Sequence, residues 1–161
     1  MLLGIISVIF TFCSNPINNN QEEQFLEIKA QIEAELASIS ENSSSNRTLS
    51  TELIRQISIF SKTCKLEKIM IDGVATKEPY SIERGKLIQT LLAYQLTPST
   101  YQKIFELVSF QSTFLINANL QNTNLKRIQL SRSYLVGTDF SNANLEGANS
   151  VSYTHLTLPD E

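Results

Sequence analysis

The chain has no Trp, one His and two Cys among 161 residues. Cys13 and Cys64 form no spacing motif, which excludes a disulfide framework and a cysteine zinc cluster. A single imidazole, His155, leaves almost nothing for general-base catalysis or metal ligation. Charge is scarce as well: 18% of residues are charged and the formal net is −3. That is too little positive charge to hold a nucleic-acid backbone, and too little negative charge for a strong anionic decoy. Gly73, Gly85, Gly137 and Gly147 stand isolated, so no phosphate-cradling loop is formed. A long apolar run is missing too. Residues 1–13, MLLGIISVIFTFC, are continuously apolar or small, but a membrane-spanning helix needs about 20 such residues.

Three readings of residues 1–13 stand side by side. The favoured one is the inner part of a membrane helix that is truncated or mis-started. The second is a signal or lipoprotein leader, although a basic n-region is missing and Phe12 is bulky beside Cys13. The third is a buried apolar segment. Residues 14–20, SNPINNN, break any helix at Pro16.

Residues 151–161, VSYTHLTLPDE, depart from everything before them. One reverse translation of their first six residues resembles a transposon-end sequencing adapter read in frame. Such a scar is excluded from fold reasoning. On that reading residues 150–161 form an artefactual tail and the native sequence is interrupted near Asn149. The tail contains His155, Asp160 and Glu161, so the remainder carries 14 acids against 13 bases. The alternative is an ordinary polar terminus.

Between these ends, residues 14–107 read as a helical stalk and helical region. Phe25, Ile28, Ile32, Leu36 and Ile39 recur at steps of three and four, predicting a helix over 21–40. The two heptads present favour packing on its own domain over a coiled coil. Residues 41–50 are a polar linker ending in Ser50, a helix cap. Leu53, Ile57, Phe60 and Cys64 line the next helix, so Cys64 reads as a small core hydrophobe rather than a reactive thiol. Arg55, Lys62, Lys65 and Lys68 make that helix basic, read as a solvated face in preference to a phosphate patch. Asp72-Gly73 signals a turn and Glu78-Pro79 an extended residue. Ser81 caps a third helix running to about Leu96, and Pro98-Ser99 introduces a fourth, roughly 100–107. Glu83 and Arg84 read as structural, orienting the third helix against the C-terminal part of the chain.

From Phe110 the period changes from 3.6 to five. Phe110, Leu115, Leu120, Leu125, Leu130, Leu135, Phe140 and Leu145 recur without a miss. Two residues before the large ones stand Thr113, Ala118, Thr123, Ile128, Ser133, Thr138 and Ala143, all small except Ile128. Neither a helix nor a strand has period five, and a fixed internal repeat indicates a solenoid. At 150, where the next large residue falls due, stands Ser150.

Ala118-Asn119-Leu120-Gln121-Asn122, Thr138-Asp139-Phe140-Ser141-Asn142 and Ala143-Asn144-Leu145-Glu146-Gly147 resemble the pentapeptide-repeat family, whose unit is A(D/N)LXX. The resemblance spans residues 108–149. It implies a right-handed quadrilateral β-helix with four units per coil, so about two coils. It also implies that the central Leu or Phe, and small residues such as Ala118 and Ala143, point inward. Ile128 departs from the pattern, which implies a locally widened or offset face. Phe114 and Tyr134 replace Asn or Asp, which implies less regular units there. Phe105 and Leu107 are expected to close the bore. Ser81 to Leu87 with Leu91-Leu92 resembles the segment preceding the repeats in membrane-anchored bacterial members of the family. The expected fold class is therefore α+β: a helical N-terminal region followed by a truncated β-helix.

This resemblance admits three functions. The first is a non-enzymatic, membrane-tethered protein-interaction scaffold with an unidentified protein partner. The second is a DNA mimic that binds a topoisomerase, against which residues 108–149 carry three bases and two acids. The third is the appendage of an enzyme whose catalytic part is missing. The favoured reading expects no catalytic residue, cofactor, metal or nucleic acid. It expects a membrane-associated protein with its soluble part in the cytoplasm. A cytoplasmic or exported protein is the alternative, and self-association stays open.

Overall fold

The structure, a computed structural model, describes residues 21–39 and 47–149. The apolar segment 1–13, most of the polar linker and the adapter-like tail lie outside the described residues. Among the described residues no helix is long and apolar enough to cross a membrane.

Helix α1 (Gln21–Ala37) forms where Phe25, Ile28 and Ile32 share one buried face. It ends before the expected Ser40. It packs against α2 (Thr51–Thr63) and α3 (Ile82–Ala93). Polar contacts fix its register: Lys86 on α3 meets Glu22 at 2.6 Å, and the Tyr94 hydroxyl donates to Glu33 at 2.9 Å. The helix thus spends its apolar face within its own domain.

The expected caps at Ser50 and Ser81 are present. Each Ser Oγ accepts the amide of the residue three positions on, Leu53 for α2 and Arg84 for α3. These satisfy otherwise orphaned first-turn donors. Leu53, Ile57, Phe60 and Cys64 are all buried. Asp72 and Gly73 both take positive φ, 50° and 81°. That is the two-residue turn of a hairpin, joining β1 (Met70–Ile71) to β2 (Val74–Ala75). The third helix stops at Ala93, not Leu96, and α4 (Pro98–Leu107) starts at the proline itself. Proline at the first helical position loses no hydrogen bond and presets φ.

From Phe110 the backbone winds in twenty-residue passes. Parallel bridges pair Phe114 with Tyr134, Asn119 with Asp139, Asn124 with Asn144 and Gln129 with Asn149. Each partner lies twenty residues on, four pentapeptides later. The expected strands are reduced to single bridging residues between turns. The bridges are nevertheless fully bonded. Leu115 N–H donates to the Tyr134 carbonyl at 2.8 Å, and Tyr134 N–H to the Thr113 carbonyl at 2.8 Å. The same pattern recurs at Leu120, Leu125 and Leu130. Phe114 and Tyr134 leave this ladder regular, contrary to expectation.

The helical region joins the first pass along its edge. Ser81 bridges Thr113 in parallel, donating to Ser112 and accepting from Phe114. One exposed backbone edge is thereby covered. Gly85 of α3 lies so close that an added Cβ would sit 2.2 Å from the Phe114 carbonyl oxygen. Arg84, beside it, is 7% exposed. Its guanidinium donates to the carbonyls of Ser61 at 2.7 Å and Gln111. It therefore ties α2, α3 and the first pass together, consistent with the orienting role read from the sequence. Ser58 and Ser61 add two more ties, to the Leu107 carbonyl and the Ser109 amide.

Candidate interaction surface

Each pentapeptide places its side chains by position. The central residues Phe110, Leu115, Leu120, Leu125, Leu130 and Leu135 are all buried to 1% exposure or less. Burying each Leu contributes about 1.5–3 kcal/mol. Phe140 is half-buried and Leu145 is 39% exposed. No described pass lies over the second one, so its last members are less covered. Ala118 is buried and Ala143 half-buried. Ile128 is fully buried in spite of its size.

At the inner end, Phe105 is 4% exposed and meets Phe110 edge-on at 6.0 Å. Leu107 is 48% exposed and does not close the bore. Ile104, on the α4 face turned toward the core, and Val108, the extended residue that ends the helix, are buried instead.

The small inward hydroxyls are satisfied by the coil's own carbonyls. Thr113 Oγ1 donates to Phe110 at 2.6 Å, and Thr123 Oγ1 to Leu120 at 2.6 Å. Thr and Ser therefore substitute for Ala without leaving a buried donor unpaired.

The residue before each central Leu faces outward and does two jobs. It bridges to the next pass, and, when Asn or Asp, it also caps the following turn. Asn119 accepts from Gln121 N–H, Asn124 from Lys126, Asp139 from Ser141 and Asn144 from Glu146, at 2.8–3.3 Å. These side-chain turns give a physical reason for Asn and Asp at this position. Hydrogen bonds from the Ser141 side chain and amide, and from Gln121, hold Asp139 below the usual carboxylate range. Where Phe114 and Tyr134 replace Asn, their rings stack at 5.3 Å, with Tyr80 edge-on to Tyr134 at 5.4 Å. An aromatic ladder thus occupies one face.

The sequence reading missed the turn position two after each central residue. Ser112, Asn117, Asn122, Arg127, Arg132, Gly137, Asn142 and Gly147 all take positive φ, between 51° and 68°. The amide three after the central residue closes the turn, as Ala143 does to Phe140 at 2.9 Å. These are the marks of a type II turn. Asn and Gly at five of the eight positions were a visible signal.

Turn residues one past the central position also align between passes. Lys126 meets Glu146 at 2.8 Å, and Lys126 is the main cause of Glu146's lowered pKa. Gln121 reaches a different position of the next pass, donating to Asp139, the residue before the central Phe140. The outer surface is thus made of rows whose side chains are set by the twenty-residue pitch. Among the described residues, no group of three or more His, Cys, Asp or Glu could hold a metal ion. Burial pushes the Cys64 thiol up to about 11, so it is not a poised nucleophile.

No curated protein and no solved structure matches the chain. Residues 115–149 match the family model of pentapeptide repeats, with eight copies.

Proposed function

We propose that the chain is a non-enzymatic interaction scaffold whose pentapeptide repeats present flat, rigid faces to a protein partner. Its repeats wind as a right-handed quadrilateral β-helix of about two coils. The observation that carries this reading is the division of labour within the repeat. Inward positions are consumed by core packing, and outward ones form rows held by parallel bridges every five residues. Side chains on such rows lose little freedom on binding, which favours recognition by a preorganised surface. Three bases against two acids over 108–149 do not make the dense acidic rows that mimicry of DNA requires.

Tethering to a membrane belongs to the same reading and rests on the apolar residues 1–13. A photo-crosslinking residue at Gln121, on an outward row, should trap a discrete protein adduct in cells. The same probe at exposed Lys62 on α2 should not. Absence of an adduct along the rows would sink the scaffold. Recovery of the protein wholly in the soluble fraction would sink the tether alone.

A further inference from the structure

A cleft of about 370 Å³ opens between the start of α4 and the coil, lined by Ser99, Tyr101, Asn124, Lys126 and Arg127 among others. Its volume falls within the ordinary range for small-molecule sites. No carboxylate lines it, and both of its charged side chains are cationic. Lys126 is partly neutralised by Glu146, 2.8 Å away across the coil. Arg127 makes no side-chain hydrogen bond or ion pair among the described residues, although its charge also acts on Glu146. The Asn124 side-chain carbonyl accepts from the Lys126 amide, which leaves its NH2 group as a donor. Tyr101 and Phe105 stack at 5.8 Å and form an apolar wall.

Arg127 also stands where the repeat asks for Asn or Gly. Its φ is +64°, a left-handed conformation that a side-chain-bearing residue adopts only at a cost. A long cation is thus kept at a strained turn beside a cleft with no acid in its lining. We propose that this cleft binds a small phosphate-bearing molecule, with Arg127 as the principal anion ligand and Lys126 and Asn124 as supporting donors. Arg suits this task because its planar fork can contact two phosphate oxygens at once. The proposal is independent of the scaffold reading and of any membrane tether.

The turn position supplies its own control, because Asn is already accommodated at 117, 122 and 142 with the same φ sign. Arg127→Asn should therefore fold at least as well as the parent. Inorganic phosphate and a phosphomonoester, glycerol phosphate, are titrated into the full-length protein at constant ionic strength. Thermal melting and amide chemical shifts are the readouts. Both ligands should raise the melting temperature and shift amides around 98–102 and 124–128, and chloride should not. Arg127→Asn should weaken phosphate binding about tenfold or more, the loss expected for one charge-assisted contact. Lys126→Gln, at a turn position with ordinary φ, should weaken it to a smaller degree. Arg132→Asn, at the equivalent strained turn outside the cleft, should leave it unchanged. Equal phosphate binding by Arg127→Asn and the parent would overturn the proposal. So would a phosphate response no larger than that to chloride. A glycerol phosphate response without an inorganic phosphate response would overturn Arg127 as a ligand of the bare anion.

Discussion

At the scale of single residues, the repeat combines positions that the period reveals with positions that only geometry reveals. The central Leu and Phe residues were legible because a large apolar residue every five positions fits no helix or strand. The left-handed turns were legible only where Asn or Gly marked them, and silent at Ser112, Arg127 and Arg132. Arg132 holds φ +58° and carries the strain without lining the anion cleft. Arg132→Asn should stabilise the fold by about 1 kcal/mol, since Asn tolerates this region better. For a chain of this size that is a rise of about 2–4 °C in melting temperature. A fall on differential scanning would contradict the turn assignment. Gly137 shows the opposite case: an added Cβ would lie 2.0 Å from the Asn117 side-chain oxygen, at φ +68°. Gly137→Ala should cost about 1–2 kcal/mol from backbone strain. Asn117 must also move to make room. Cys64 gives a chemical check on burial. With its thiol pushed up to about 11, iodoacetamide at pH 8 should label it only after denaturant is added. Fast native labelling, read as a modified Cys64 peptide by mass spectrometry, would show that the helical core is open.

At the scale of elements, helix starts were easier to read than helix ends. Ser50 and Ser81 each signal a cap, and each caps. The ends of α1 and α3 fell short of the expected Ser40 and Leu96 because apolar spacing continues past the point where the backbone turns. Leu107 misled for a related reason: it is apolar but lies on the outer side of α4, while Ile104 and Val108 face the core. No periodicity could reveal how α2, α3 and the first coil are joined, because the join is made by single polar residues outside any repeat: Arg84, Ser58, Ser61 and Ser81. Arg84 donates to carbonyls from two other elements. Replacing it by Met keeps the apolar stem but leaves those carbonyls unpaired. Arg84→Met should lower stability by about 2–4 kcal/mol, the range for losing charged hydrogen bonds in a buried site. Arg84→Lys should recover only part of this, since an ammonium lacks the fork that reaches both carbonyls. Chemical denaturation of the three proteins measures the difference. Equal midpoints would mean that the join is made elsewhere.

At the scale of the whole molecule, the ionisable groups and the join between helices and coil set how the fold fails. Arg55 holds Glu52 down to about 2, and Asp139 and Glu146 are lowered as well. Such groups bind protons less readily when folded, so their contribution is present above the ordinary carboxylate range and lost as pH falls below it. Glu52 and Glu146 are exposed and Asp139 is only half-buried, so the loss is shallow. Tyr94 is pushed from its ordinary value near 10 up to about 12, by burial and then by Glu33. Its contribution is present below pH 10 and lost as pH rises toward 12. Melting temperature should therefore be flat across neutral pH and decline at both ends. A slope between pH 6 and 8 would point to a titrating group outside this set. The join is tested through Gly85. A Cβ there would strike the Phe114 carbonyl at 2.2 Å, and a backbone atom bonded into the first coil cannot step aside without breaking that coil's edge. Solenoid stability is transmitted between neighbours, so displacing α3 removes the neighbour on which the first coil rests. Gly85→Ala should therefore reduce hydrogen-exchange protection in residues 110–139 as well as in α3. Loss confined to 82–93 would show instead that the coil stands without the helices.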